Sequence, residues 1–311
     1  MTPRGSGNQR IVVDSEHAGR RLDKYLRSQF KHVPAGQLFK LLRTGKLRIN
    51  GRKIDQTYRL AQGDTIQMPV LDAAPAEARA PQVPTALLKS LGNAVLFEDR
   101  DLLVVDKPAG VAVHKGTDVA AGVIEAFRQL RPELPQLELS HRLDRDTSGV
   151  LVLAKTPSML RYLHDLLRDR EAEIERHYLA VVAGSWDSKA TVIHAPLQRR
   201  EDKVVVAPSG QRAETRVKVQ RRIGRNASLL QVQLLTGRKH QIRVHLQYSG
   251  HPIAGDDRYG SKAFNRKVAA AGGNGLYLHA ATMTIPKPDG STLSIDAPMP
   301  QRWRQLLASG L

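Results

Sequence analysis

Residues 149–154 read GVLVLA, an unbroken apolar run, and they follow directly on HRLDRDTS, residues 141–148. A strand with one face in water alternates apolar and polar side chains, whereas a strand covered on both faces reads as a continuous apolar run. The run therefore predicts a buried strand. The octet before it predicts a charged turn, with two carboxylates among two arginines and a histidine, delivered to the edge of the core.

The rest of the chain fits a mixed fold around that strand. VLFEDRDLLVVDKPAG gives apolar runs closed by turn residues, which predicts paired strands. AGVIEAFRQL predicts a helix. SMLRYLHDLLRDREAEI predicts an amphipathic helix, with Leu160, Leu163, Leu167 and Ile174 near helical spacing. HYLAVVAG and SLLQVQLLTG predict strands, and HQIRVHLQYSG a helix with Gly250 at its C-terminal end. LYLHAATMTIP and STLSIDAP flank the turn Lys287-Pro288-Asp289-Gly290 and predict a hairpin. Strands outnumber helices. The expectation is an α+β domain with a central, largely antiparallel sheet flanked by helices.

Upstream lies a different texture. Residues 1–10 read as a disordered polar start, with a short strand over residues 11–13. RRLDKYLRSQF places Leu22, Tyr25 and Leu26 on one helical face, and GQLFKLLRTGKLRING predicts a second helix ended by Gly45. KLRING and RLAQGDTIQMP predict short strands around turns, Asn50-Gly51 being the clearest turn signal. LDAAPAEARAPQVP, residues 71–84, holds five alanines and three prolines and reads as a semi-stiff linker. The expected divisions are an N-terminal extension over 1–19, a small α/β module over 20–70, a linker over 71–85 and a larger domain over 86–311.

Charge narrows the function. The chain of 311 residues carries a formal net charge of +18. Such a field attracts polyanions, with nucleic acid the leading partner. Residues 20–70 hold twelve Lys or Arg against three Asp, half of the whole excess in a sixth of the chain. Basic residues on both helices and on the following hairpin mark that module as a polyanion-binding surface. Arg43, Lys46, Arg48, Arg52 and Lys53 are its candidate polyanion contacts. There is no cysteine, so disulfides and thiolate chemistry are excluded. No run of about 18 apolar residues occurs, and the N-terminus has no apolar segment like a signal peptide. A cytoplasmic protein with no membrane partner is expected.

Three functions can be tested by spacing against the carboxylates of HRLDRDTSG. A calcium loop would start at Asp144, but its twelfth position is then Lys155, where the ion needs a bidentate Glu. A phosphotransferase nucleophile of the D-x-D-x-T kind sits after its strand, not before it. Within that same second class, a two-metal nuclease needs a convergent carboxylate set, and no second acidic cluster stands out. The third function is a single catalytic carboxylate flanked by arginines, which keep it ionised and can hold a phosphate. The charge pattern alone serves equally well an Asp–Arg pair that only fixes a turn.

HRLDRDTSGVLVLAK closely resembles the signature of the pseudouridine synthases of the RluA-like family. DKPAGVAVHKG, RHYLAVVAG, TGRKHQIRVHL, HPIAGDDRYG and LHAATMTIPKP are similar to further blocks of that family, over roughly residues 90–300. DKYLRSQF, GQLFKLLRTGKLRINGRKI and GDTIQMP resemble an S4 domain, a small RNA-binding module. The resemblance implies an isomerase that converts specific uridines of large-subunit (23S) ribosomal RNA to pseudouridine, with base flipping and neither cofactor nor metal. It implies Asp144 as the catalytic aspartate, Arg243 as its ion-pair partner and Tyr178 as the ring packed on the uracil. Arg142 is the candidate to fill the space of the extruded base, and His141 to support the loop. Lys107, Arg238 and Lys239 are candidate phosphate contacts. His240 and His245 read as structural or phosphate-contacting. A monomer is expected. The rival function is a non-catalytic ribosomal RNA-binding or assembly factor on the same fold.

Overall fold

In the computed structural model the chain divides into two units, residues 1–81 and 82–311. The structure describes residues 8–30, 33, 35–71, 83–115, 121–169, 174–186, 192–201 and 203–311. Most of the expected linker lies outside them.

The small unit runs β1 (Asn8–Val12), α1 (Leu22–Gln29), α2 (Ala35–Arg43), β2 (Arg48–Ile49) and β3 (Thr65–Pro69). Its strands form a sheet in the order β1-β3-β2. Residues 8–10 were expected in a disordered start, yet they extend β1, with Gln9 opposite Met68 and Ile11 opposite Ile66. An edge strand tolerates polar side chains on its open face, so local composition did not reveal it. Leu22, Tyr25 and Leu26 of α1 pack with Leu38 and Leu42 of α2 and with Ile66 and Met68. Asn50 and Gly51 take left-handed φ of 51° and 76°, and Ile49 and Arg52 exchange both backbone hydrogen bonds across them. That is the type I′ turn expected of Asn-Gly.

The large unit opens with α3 (Thr85–Gly92), β4 (Val95–Glu98), β5 (Leu102–Lys107), α4 (Val123–Leu130), β6 (Glu138–Leu139) and β7 (Ser148–Ala154). It continues with α5 (Pro157–Arg168), β8 (Glu175–Ala183), β9 (Val192–His194), β10 (Leu197–Arg200), β11 (Lys203–Val206), β12 (Glu214–Ile223) and β13 (Ala227–Leu234). It ends with α6 (Gln241–Tyr248), α7 (Lys262–Ala270), β14 (Leu278–Pro286), β15 (Thr292–Asp296) and α8 (Trp303–Ala308). Among the described residues ten strands form one sheet along the path β4-β5-β7-β14-β8-β13-β12-β9, with β6 on β7 and β15 on β14. All pairings are antiparallel except β7 with β14.

The apolar run is β7, buried along its whole length. Its alternation is between two cores rather than between core and water. Leu151 and Leu153 join a core that includes Ile124 and Phe127 of α4, Ile242 of α6 and Trp303 of α8. Val150 and Val152 join another with Met159 and Leu163 of α5. The helix read through residue 174 is shorter: α5 starts at an N-cap in which Thr156 accepts from Met159 N–H, and stops at Arg168. The charged stretch that follows offers no large apolar side chain to bury. Ile174 still packs in the same core as Leu160 and Leu167, by way of the chain entering β8.

The parallel contact of β7 with β14 pairs His279 with Ser148 and Ala280 with Gly149. Gly149 has φ +107°, and a Cβ there would run into the Ala280 carbonyl. Backbone on backbone leaves no flexible atom to yield. Gly149→Ala is therefore expected to lower stability by at least about 3 kcal/mol, read as a fall in soluble yield and in the denaturant midpoint. A midpoint equal to the parent's would show that β7 and β14 can separate freely.

Candidate active site

Asp144 lies in the turn that leads into β7, and that turn is strapped from both sides. Upstream, Ser140 N–H and Oγ both donate to Val152 O, and His141 Nε2 accepts from Val152 N–H. Burial holds the His141 imidazole neutral, down to about 4, as that accepting role requires. Leu143, just before Asp144, and Thr147, downstream, bury their side chains, and Thr147 N–H closes the turn onto Asp144 O. Across the turn, Gly110 N–H and Lys107 Nζ both donate to Arg145 O.

That last contact corrects one expectation. Lys107 is 0% exposed, so it is not a phosphate contact. Its Nζ donates to Pro108 O, Val111 O and Arg145 O at 2.8–2.9 Å, using all three ammonium donors. Burial draws the amine down to about 7, against the pull of Asp146, Asp144 and Asp106. Lys107 is a clamp that joins its own turn to the Asp144 turn.

Arg243 comes from α6. The segment before the helix is wound around Gln241, whose Oε1 accepts from Arg238 N–H and Thr236 Oγ1 and whose Nε2 donates to Glu214 O and Thr215 Oγ1. His245 fastens the helix to β12 and its neighbour through Thr215 Oγ1 and Ala195 O. Arg243 then spans two carboxylates. Nη1 donates to Asp144 Oδ2 at 3.0 Å, while Nε and Nη2 grip Asp256 at 2.7 and 2.8 Å. Burial works against its charge, but Asp256 and Asp144 outweigh it and raise its pKa above the usual range. Asp256 has a side chain 0% exposed. Burial opposes ionisation there too, yet Arg243 and the N–H groups of Tyr259 and Arg258 hold the pKa below the usual carboxylate value.

The second oxygen of Asp144, Oδ1, faces His240 Nε2 at 3.7 Å. His240 caps α6 in the left-handed region, φ 54°, a conformation that costs a non-glycine residue about 1–2 kcal/mol. Its Nδ1 pairs with Tyr259 Oη at 2.8 Å, and Tyr259 Oη accepts from Val204 N–H at 3.0 Å. Burial lowers the His240 imidazole to about 4 despite Asp144. The Tyr259 ring also underlies Arg243, 5.1 Å from its guanidinium.

These groups open onto a cavity of about 250 Å³. Asp144, Tyr178 and Arg243 all line it, as do His141, Arg142, Arg238 and Lys239. The turn, β8 and α6 thus bring the three residues expected to act together to one place. Tyr178 stands on β8 between Val232 and Ala280 of the neighbouring strands. Burial pushes its phenol above the usual range. Arg142, Arg238 and Lys239 are exposed at the rim. Arg43, Lys46, Arg48, Arg52 and Lys53 are all exposed on the small unit, at the end of α2 and on the β2 turn. Among the described residues, the one group of three or more potential metal ligands is Asp14, Glu16 and His17, also in the small unit.

Sequence reasoning did not assign Asp256, Tyr259, His240 or Arg176 to the site. Arg176 lines the cavity two residues before Tyr178, its Nε has no partner among the described residues, and burial lowers its pKa. The Asp256-to-Tyr259 spacing, an aspartate capping the N–H three residues on, was the available signal.

Residues 101–248 match the RNA pseudouridylate synthase family, and residues 20–66 the S4 domain. The chain is 43% identical over 305 residues to ribosomal large subunit pseudouridine synthase C of Escherichia coli (strain K12), covering 96% of this chain and 95% of that protein. The chain belongs to the RNA pseudouridylate synthase family. It is 41% identical to ribosomal large subunit pseudouridine synthase C of Vibrio vulnificus (strain CMCP6), over 97% of this chain and 96% of that protein. Among solved structures it is similar to human RNA pseudouridylate synthase domain containing 4, with TM-score 0.61 and 25% identity over 74% of this chain and 96% of that one. The α+β architecture with a mostly antiparallel sheet agrees with that family.

The shared guanidinium makes a sharp expectation. Arg243→Ala leaves Asp256 buried and unpaired, and breaking such a pair costs about 3–5 kcal/mol. Arg243→Lys keeps a charge but cannot bridge both carboxylates. Chemical denaturation should rank parent, Lys variant and Ala variant in falling stability. Equal midpoints for all three would refute the bridging role.

Proposed function

We propose that this chain isomerises uridine to pseudouridine in large-subunit ribosomal RNA, with Asp144 as the acting carboxylate. The observation that supports this most is the placing of one carboxylate at a small cavity, aimed by a guanidinium that is itself anchored from behind. The names of the relatives at 41–43% identity support the RNA class. The cavity of about 250 Å³ falls below the usual range for drug-sized ligands. It fits one extruded nucleoside better than a stacked strand.

The reaction breaks the N1–C1′ bond, rotates the uracil and forms C5–C1′. The base loses a proton at C5 and gains one at N1, so no electrons are exchanged. Asp144 acts beside the ribose, with Arg243 holding one oxygen. Tyr178 enters protonated, because burial raises its pKa; its ring is a platform for the uracil and its hydroxyl a donor. Extrusion of the target base costs a few kcal/mol. Arg142, exposed beside Asp144, occupies the gap left in the RNA. Arg238 and Lys239 take phosphates at the rim.

Residues 20–70 serve as the RNA-positioning module, 71–85 as the linker and 86–311 as the catalytic domain of a cytoplasmic, monomeric enzyme. Phosphate contacts supply affinity and register rather than sequence.

Two measurements test this. Asp144→Asn should abolish pseudouridine formation, with a rate loss of at least about 10³-fold, while still binding RNA; carbodiimide labelling and primer extension read the product. Persistent modification by the Asn variant as sole copy would favour a binding factor or another carboxylate. Replacing Arg43, Lys46, Arg48, Arg52 and Lys53 together by Ala should weaken RNA binding and reduce the slope of log affinity against log salt by up to about 4. An unchanged slope in a filter-binding titration would remove the small unit from RNA recognition.

A further inference from the structure

Arg243 accounts for one oxygen of Asp144. The other is faced by His240, and the surroundings of that ring are more determined than a surface histidine's. Val204 N–H donates to Tyr259 Oη at 3.0 Å. His240 Nδ1 lies 2.8 Å from the same oxygen, and with that oxygen already accepting from Val204 its hydroxyl proton is available to Nδ1. A neutral imidazole that accepts at Nδ1 carries its proton on Nε2. Nε2 is the atom 3.7 Å from Asp144 Oδ1. We propose that His240 is a positioning residue for Asp144, its Nε2–H fixed by Tyr259 and aimed at the carboxylate oxygen that Arg243 leaves free. This rests on the reading of Asp144 as the acting carboxylate.

Three further observations carry the inference. The Tyr259 backbone is set by Asp256, which accepts from its N–H, and Asp256 is the same residue that grips Arg243. Both supports of Asp144 are therefore referred to one turn. His240 holds left-handed backbone that its neighbours must enforce, as is common where geometry serves a site. Burial keeps the ring neutral, its pKa near 4, so the tautomer argument applies at physiological pH. A contact of 3.7 Å is too long for a hydrogen bond, and closing by about 0.5 Å brings it into range. Catalytic hydrogen bonds often tighten only once substrate is bound. The same hydroxyl reaches Val204 on β11, next to Lys203 and across the hairpin from Arg199, both exposed.

Two substitutions separate the ring nitrogens. Glutamine places its amide near the Nε2 position, and asparagine near Nδ1. Asparagine is also the non-glycine residue best suited to left-handed backbone, so it preserves the fold while removing the donor toward Asp144. Single-turnover kinetics on an unmodified large-subunit rRNA transcript should show His240→Asn slower by about thirtyfold and His240→Gln by about threefold. RNA affinity and melting temperature should match the parent's in both. Equal loss in the two variants, or no loss in the Asn variant, overturns the proposal. ¹⁵N NMR of histidine-labelled parent protein must show the Nε2–H tautomer at His240; an Nδ1–H tautomer overturns it without any variant. Asp144→Asn runs in parallel. Activity in that variant would sink the reading of Asp144 whatever the His240 ratio, whereas its inactivity, together with equal losses in the two His240 variants, would sink this inference alone.

Discussion

One guanidinium shared by two carboxylates organises the large unit's cavity. Arg243 holds Asp256 with two hydrogen bonds and Asp144 with one. Desolvating three ions is expensive unless each finds strong partners. Asp256 meets that condition by accepting two backbone N–H groups as well, so it forms a fixed anion against which Arg243 is aimed. Among the described residues Asp144 has no comparable backbone support, and it remains partly open to the cavity. The asymmetry separates an anchoring carboxylate from one left available.

Aiming Asp144 also requires that its own backbone stay still. The turn between β6 and β7 has no secondary structure to hold it. Lys107 supplies the missing tie, carrying three backbone carbonyls on one ammonium. His141 and Ser140 tie the upstream end to Val152 of β7. Because β7 is covered on both faces and locked against β14 at Gly149, the turn inherits the rigidity of the sheet centre. Strand, clamp and ion pair each remove one freedom from the same carboxylate.

Much of this was legible in the residues. The apolar run after the charged turn specified a doubly buried strand, because no polar alternation interrupts it. Gly250, Asn50-Gly51 and Lys287-Pro288-Asp289-Gly290 marked ends and turns through backbone conformation, which local sequence controls. The meeting of Asp144, Tyr178 and Arg243 came from the family blocks, not from spacing: Arg243 lies 99 residues from Asp144. What stayed hidden was burial. Lys107 looks like a surface cation in any list of charges, and only the fold around DKPAG encloses it. Tyr259 and Asp256 sit in a block that resembled the family, but their work is across space, toward α6. Only the first residues of the N-terminal strand, 8–10, were hidden, because an edge strand with one open face has the composition of a loop.

Electrostatics then explains how such a site can meet an anionic polymer. Asp144, Asp256 and Arg243 together keep one negative charge, and His240 stays neutral. A bare carboxylate would repel the phosphates of the RNA proposed to bind here. The rim answers this with Arg142, Arg238 and Lys239, exposed around the opening, while the carboxylate sits deeper, its side chain 20% exposed. Phosphates are favoured at the rim and a neutral base in the cavity. A backbone held at the rim can bring a nucleoside to Asp144 only by turning that nucleoside out of its stack. On the proposed function, this charge distribution favours extrusion before any residue touches the base and would set the ribose, rather than a phosphate, beside the carboxylate.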